Sequence, residues 1–270
     1  MSSPADEAAG HAAWRAARRA ELAGPDSWLG VVGLHWLAEG TSVLGSGPAC
    51  TVVLPRGPEV LGELERSGGQ VVWRARGEAP RGLTTDRDGE PDVLTADSLA
   101  LLVIEREGRL ALRVRDRAWA AGRAFVPPPC YPFDPAWRIA ARWVALPEPR
   151  AMELPDVNGE LRSVRVAFEA VFELGGQTLR LLPVWVRDDG VFFVFRDRSS
   201  GRETYGAGRF LMAPVADGGV LVLDFNRAYN PPCAFTPFAT CPLPPPENWL
   251  PVAVPAGEMK PHAGEAATHS

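Results

Sequence analysis

Lysine is almost missing from this chain. Lys260 is the only one, and the other long cationic side chains are all arginine. The body therefore offers no amine for a Schiff base and no Gly-Lys-Ser/Thr phosphate loop. Histidine is nearly as scarce. His11, His262 and His269 fall toward the two ends, so any imidazole base in the body must be His35. That residue sits inside the apolar run 28–37, where a hydrogen-bonded core histidine is the plainer reading. The four cysteines (Cys50, Cys130, Cys233, Cys241) are widely spaced, with no Cys-x-x-Cys pair. They form no disulfide framework and read as reduced, mostly buried thiols. Cys233 and Cys241, eight apart, leave open a redox pair or half of a metal site, and Cys233 a nucleophile. No metal centre and no cofactor is expected.

Long apolar runs are also absent. None approaches the ~20 residues of a membrane helix, and the first residues lack the basic flank and apolar core of a secretory signal. The expected setting is cytoplasmic, without a membrane partner. A net charge of −5 gives no footprint for nucleic acid. The sequence leaves the oligomeric state open.

What remains is a β pattern. Residues 8–23 are rich in Ala and Arg and predict a short helix, stopped by Gly24-Pro25-Asp26-Ser27. Short apolar runs follow at 51–54 and 70–73. Residues 99–105 and 109–115, joined by Glu107-Gly108, predict a hairpin. Five prolines between 124 and 137, with Phe125, Tyr131, Phe133 and Trp137, mark a packed connector and the best domain boundary. Beyond it, runs at 164–174, 178–187, 191–196, 203–211 and 220–225 predict a meander turned by Gly-Gly and Asp-Gly pairs, which favour positive φ. The expected fold is mainly β: two packed antiparallel units, each a sandwich or partly open barrel, with a short N-terminal helix and a proline-rich C-terminal lid. The expected segments are an N-terminal arm (1–27), an N-terminal β unit (28–123), a C-terminal meander with its lid (124–260) and a disordered tail (261–270).

The chemistry is expected where the last strands meet the lid. Period two puts Tyr205 and Arg209 on one face. A hairpin turned at Asp217-Gly218 would set Arg209 opposite Asn226 and diagonal to Asp224. The lid adds Tyr229, Asn230, Cys233, Glu247 and Asn248. One reading is a pocket for a small anionic or polar metabolite. In it Arg209 anchors charge, Tyr205, Asn226, Tyr229, Asn230 and Asn248 bind and orient, and Asp224 or Glu247 serves as the acid or base of a cofactor-independent hydrolysis. The other is structural, because irregular backbone needs polar side chains to satisfy it. The matching alternative function is a non-enzymatic interaction module that uses β edges or the N-terminal unit to bind a protein.

Several motifs together resemble a bacterial family catalogued as domain of unknown function 1684. They are Ser27-Trp28-Leu29 with Gly33-Leu34-His35-Trp36-Leu37, Gly208-Arg209-Phe210-Leu211, Asp224-Phe225-Asn226-Arg227-Ala228-Tyr229-Asn230-Pro231, Cys241-Pro-Leu-Pro-Pro, and Ala256-Gly257-Glu258. The resemblance covers most of the chain and implies no known activity. Residues 40–118 carry a weaker likeness. Gly45-Ser46, Thr51-Val-Val-Leu-Pro55 and Gly62-Glu63 look like the opening of a forkhead-associated β-sandwich. Such domains read phosphothreonine through Gly-Arg and Ser-x-x-His. Here Glu63 follows Gly62 and no Ser-x-x-His is present, so the likeness implies the fold and not phosphopeptide binding.

Overall fold

The alternating runs become strands and the Ala/Arg-rich start becomes a helix. The computed structural model describes residues 4–87, 89–122 and 125–261. The expected tail lies outside the described residues beyond Pro261, as do Arg123 and Ala124 at the expected boundary. The protein is mainly β, with one long N-terminal helix, α1 (Pro4–Ala23). No helix among the described residues is long and apolar enough to cross a membrane. The described residues form two compact units, one within 21–122 with Phe125 and the other made of 4–20 with 126–261.

The first unit opens with β1 (Val31–Trp36), β2 (Gly40–Gly45), β3 (Val52–Val53), β4 (Gly62–Ser67), β5 (Gln70–Arg74) and β6 (Arg81–Leu83). It continues with β7 (Val93–Ala96), β8 (Leu99–Arg106), β9 (Arg109–Asp116) and the short helix α2 (Arg117–Gly122). One sheet has the order β1-β9-β8-β7 and the other β3-β2-β4-β5-β6. Leu44, Leu64 and Trp73 of one sheet pack with Leu101, Val103, Leu112 and Val114 of the other, which makes a sandwich core. The β8–β9 hairpin closes through Glu107 (φ 48°) and Gly108 (φ 76°), both left-handed, in the manner of a two-residue turn that matches strand twist.

The second unit holds β10 (Arg138–Pro155), β11 (Leu161–Leu174), β12 (Gln177–Leu181), β13 (Trp185–Arg187), β14 (Gly190–Phe195), β15 (Arg209–Ala213) and β16 (Val220–Asp224). Its sheets are β12-β11-β10-β16 and β13-β14-β15. Phe172, Leu181 and Leu223 of the first face Phe193, Phe195 and Leu211 of the second, and the lid residues Leu250, Val254 and Ala256 plug the same core. The result is a partly open barrel.

Three sequence expectations change here. The run 178–187 is two strands, broken around Leu182-Pro183-Val184. The run 203–211 is strand only from Arg209, so Tyr205 does not share a strand face with Arg209. The hairpin centred on Asp217-Gly218 does not form a ladder: β15 pairs with β14 and β16 with β10, and Asp217 and Val220 make only an isolated bridge. Pro214 lacks the N–H that would continue β15, and the following turn carries the chain across to the other sheet.

Candidate functional site

The lid, residues 225–259, contains no regular strand. Its backbone turns through three short 3-10 segments, Phe225–Arg227, Pro232–Ala234 and Pro246–Asn248. Such a chain must satisfy its peptide groups without a ladder. Two asparagines do this in the same way, using the side-chain amide as a stand-in for a peptide. Asn248, fully buried, accepts from Leu182 N–H at 2.8 Å and donates to Leu182 O and Val194 O, both at 2.9 Å. It thereby pins the lid to the break between β12 and β13. Asn226 accepts from Asp134 N–H at 3.1 Å and donates to Asp134 O at 2.9 Å. Asp224 Oδ1 accepts from the Asn226 backbone and side-chain N–H groups, and its other oxygen pairs with Arg227 at 3.3 Å.

Arg209 is fully buried at the floor of the lid, its side chain 0% exposed. It donates to Asp197 Oδ2 at 2.8 Å, Val254 O at 2.9 Å, Glu258 O at 3.4 Å and Ala256 O. Asp197 is equally committed: its Oδ1 accepts from Ser199 N–H at 2.8 Å, from the Ser199 hydroxyl and from Val254 N–H at 3.2 Å. Burial lowers the Arg209 pKa, and the adjoining Asp197 carboxylate opposes that shift. The partner expected from the sequence, Asp224, is replaced by Asp197, because β15 and β16 belong to different sheets. Arg209 therefore presents no ligand-facing fork. Beside it the lid backbone passes so close that Gly257 (φ 77°) has no room for a Cβ, which would collide with Ala228 O.

The remaining expected residues scatter. Glu247 is exposed on the last 3-10 turn, and among the described residues its side chain joins neither Asp224 nor any other group. The expected pair of catalytic carboxylates thus has one member tied to backbone and one free in solvent. Tyr229 exchanges both backbone bonds with Phe210, at 2.9 and 3.0 Å, and its ring lies under the Arg18 guanidinium at 4.9 Å. Asn230 donates its N–H to Glu258 Oε2 at 2.7 Å and its amide to Met259 O at 2.7 Å. Arg18 meets Glu258 at 3.3 Å and Asn230 O at 3.1 Å, while His11 Nε2 contacts Asn226 O at 3.0 Å. Burial raises the Glu258 pKa, with Arg18 and the Asn230 N–H working against it. His11 and Arg18 escape the sequence reading, which predicts a short helix here but gives it no partner. The placement of Trp14 on the same helix is the available signal that the arm docks.

One corner of the lid keeps reactive atoms together. Tyr205 donates its hydroxyl to Cys233 O at 2.9 Å, and Cys233 N–H donates to Cys241 Sγ at 3.3 Å. Neither Cys233 nor Cys241 is in a disulfide. Among the described residues, no group of three or more His, Cys, Asp or Glu side chains is arranged to hold a metal ion.

The first unit has its own concavity. A groove of about 510 Å³ is lined by Leu61, Trp73 and Val93, with Arg76, Glu78 and Arg81 at its rim. It lies between β6 and β7, each the outermost strand of its sheet. One end is stapled: Asp92 Oδ2 accepts from Thr84 N–H and its hydroxyl, both at 2.8 Å, and Asp92 N–H donates to Thr84 O at 3.3 Å. Those Thr84 bonds hold the Asp92 carboxyl below the usual range. Past this staple the two strand edges carry no ladder between them, and Val93 is left 42% exposed.

Comparison with known proteins agrees with the motif reading of the lid. No curated protein matches the chain. A solved structure that resembles it is the solution structure of an uncharacterized protein from Haloarcula marismortui, 29% identical, covering 50% of this chain and 77% of that one, with a TM-score of 0.42. The family model described as "Protein of unknown function (DUF1684)" matches residues 123–259, the second unit's strands together with the entire lid, and the chain belongs to that family.

Proposed function

We propose that the protein is a non-enzymatic binding module whose N-terminal sandwich takes an extended acidic peptide segment into the groove between β6 and β7. The observation that carries this reading is the groove itself, a trough of mixed apolar and charged lining between two strand edges that are each unpaired on one side. An added strand finds ladder partners on such an edge, and side-chain pockets beside it supply selectivity. Trp73 and Leu61 offer apolar wall. Arg76 makes no ion pair among the described residues, and Arg81 reaches Asp92 only at 3.8 Å. The groove lining itself sets two guanidinium groups, Arg76 and Arg81, against the single carboxylate of Glu78, with Asp92 beyond it at 3.8 Å from Arg81. That excess favours carboxylates on the incoming strand. Hydrolysis is not part of the proposal, since Asp224 serves the backbone and Glu247 stands alone.

The test is fluorescence anisotropy of labelled decapeptides that alternate apolar residues with Glu, titrated with the full-length protein. Saturable binding is expected, weakened at least tenfold, about 1.4 kcal/mol, in the double variant Arg76→Glu, Arg81→Glu. A peptide N-methylated at alternate residues should fail to bind, because strand addition needs its N–H groups. Equal binding of methylated and unmethylated peptides would sink the reading, as would no saturation by any peptide.

A further inference from the structure

We infer that Cys233 and Cys241 are a dithiol site that a hydroperoxide oxidises to an intramolecular disulfide within the lid. The geometry assigns the two sulfurs different parts. Cys233 is half-buried and within reach of a small oxidant, whereas Cys241 is 3% exposed and packs in the apolar cluster with Val194, Phe210 and Ala239. The Cys241 sulfur sits against the Cys233 main chain, accepting from its N–H at 3.3 Å, and the Tyr205 hydroxyl donates to the Cys233 carbonyl at 2.9 Å, which fixes the segment that carries both thiols. Tyr205 keeps its proton, since burial and the neighbouring Cys233 push its pKa well up, so it remains a donor. The thiolate is the nucleophile in thiol oxidation. The hydrogen bond from Cys241 lowers the Cys233 pKa against the opposing effect of burial.

The chemistry balances in two steps. The Cys233 thiolate attacks one oxygen of hydrogen peroxide. An S–O bond forms, the O–O bond breaks, and hydroxide leaves and takes up a proton. The sulfur becomes a sulfenic acid. Cys241, whose sulfur already accepts from the Cys233 N–H at 3.3 Å, then displaces the sulfenic oxygen as water. The two thiols have together given two electrons to the peroxide. The disulfide closes a short loop within the lid. It holds Phe235, which is fully buried, and with it the end of the Pro232–Ala234 turn.

The molecule contains its own controls. Cys50 is buried, with its thiol directed to Glu59 O at 3.3 Å. Cys130 contacts Pro128 O at 3.7 Å, and burial raises its pKa. Neither has a second cysteine as a described partner. The full-length protein would be treated with a modest excess of hydrogen peroxide, alkylated, and mapped by peptide mass spectrometry. The expected product has lost two hydrogens, with Cys233 and Cys241 protected together and Cys50 and Cys130 still alkylated. Dithiothreitol should restore all four. Cys241→Ser should stop at a sulfenic acid on Cys233 that a dimedone probe captures. The mapping on wild type needs no variant to fold. If Cys233 and Cys241 stay alkylatable at the rate of Cys50, the inference is wrong. A disulfide that joins two molecules would overturn it equally, as would Cys233 going to sulfinic acid without a disulfide.

Discussion

The two units solve the same problem by different means. In the sandwich, peptide groups are paired along strands, and its core is almost purely aliphatic around Trp73. In the lid there is no ladder, and the same need is met by side chains: Asn226, Asn248, Asp197, Arg209 and Glu258 are all buried. Polar residues are thus dense where the backbone is irregular, for a reason unconnected with ligands. The contrast teaches that a cluster of Arg, Asp and Asn in a proline-rich segment is first a sign of backbone satisfaction. A site shows itself instead by polar or apolar groups left over once the backbone is satisfied, as at the β6–β7 groove and the Cys233 thiol.

The hardest way to break the comparison is to remove Arg209. Arg209→Ala leaves Asp197 charged and buried and strips hydrogen bonds from Val254 O, Ala256 O and Glu258 O. Breaking a buried pair by taking one partner costs roughly 3–5 kcal/mol, a large part of the roughly 5–15 kcal/mol that holds a domain. Urea denaturation followed by near-ultraviolet circular dichroism should show the second unit unfolding at much lower denaturant. Lysine should not rescue it, since one ammonium cannot replace the guanidinium fork across Asp197 and three carbonyls. A variant as stable as wild type would mean that the lid is held by its apolar plug of Leu250, Val254 and Ala256.

How much of this is legible in the sequence follows from the same contrast. The β8–β9 hairpin is readable because period-two runs flank Glu107-Gly108, and the turn demands left-handed backbone there. The long strand β10 is not. Pro147 and Pro149 argue against a strand, and the β10–β11 ladder does shift register between Ala145 and Arg150. The apolar residues on either side of that interruption still pair, so tertiary context overrides the local signal. At the candidate site, the sequence identifies polar residues of importance but not their direction. An asparagine amide matches a ligand and a peptide bond equally well, and Asn226 and Asn248 each take a peptide. A continuous meander would pair Arg209 with Asp224, and the meander does not continue. The true partner, Asp197, lies two residues past the end of β14, the strand that pairs with β15.

A gentler probe is pH. His11 is buried against Asn226 O, Trp14 and Phe133, with Arg15, Arg227 and Asp224 acting on it electrostatically. Burial lowers its pKa below 6.5, and burial does the same to His35. The unfolded chain therefore takes up these protons first as pH falls. Stability from each histidine is complete above pH 6.5 and is lost as pH drops through the lower folded value. Glu258 acts in the opposite sense. Its raised folded value means that its contribution is present below about 4.5 and is lost as pH rises through the folded value. As pH falls from 6.5 each histidine contributes a slope of at most about 1.4 kcal/mol per pH unit, and Glu258 opposes it between about 4.5 and its raised folded value. His11→Gln should flatten the dependence measured by denaturant titration. An unchanged slope would place the effect on His35 alone.

The smallest expected effect sharpens the comparison most. Arg74 and Glu65 make the same kind of pair as Arg209 and Asp197, at 2.6 Å across β4 and β5, but both side chains are about half exposed at 46% and 45%. Water already solvates both charges in the folded protein, so little desolvation has been offset and little is uncovered when one partner goes. Arg74→Ala should cost less than about 1 kcal/mol, and 0.5 M salt should shrink even that by screening. The same salt should leave the Arg209→Ala deficit nearly untouched, because neither partner of that pair meets solvent. Measured side by side in one denaturant series, the two arginines would separate burial from charge pairing as the source of the lid's stability. Equal costs would mean that the lid admits water and that its buried ion pair is a surface pair in practice.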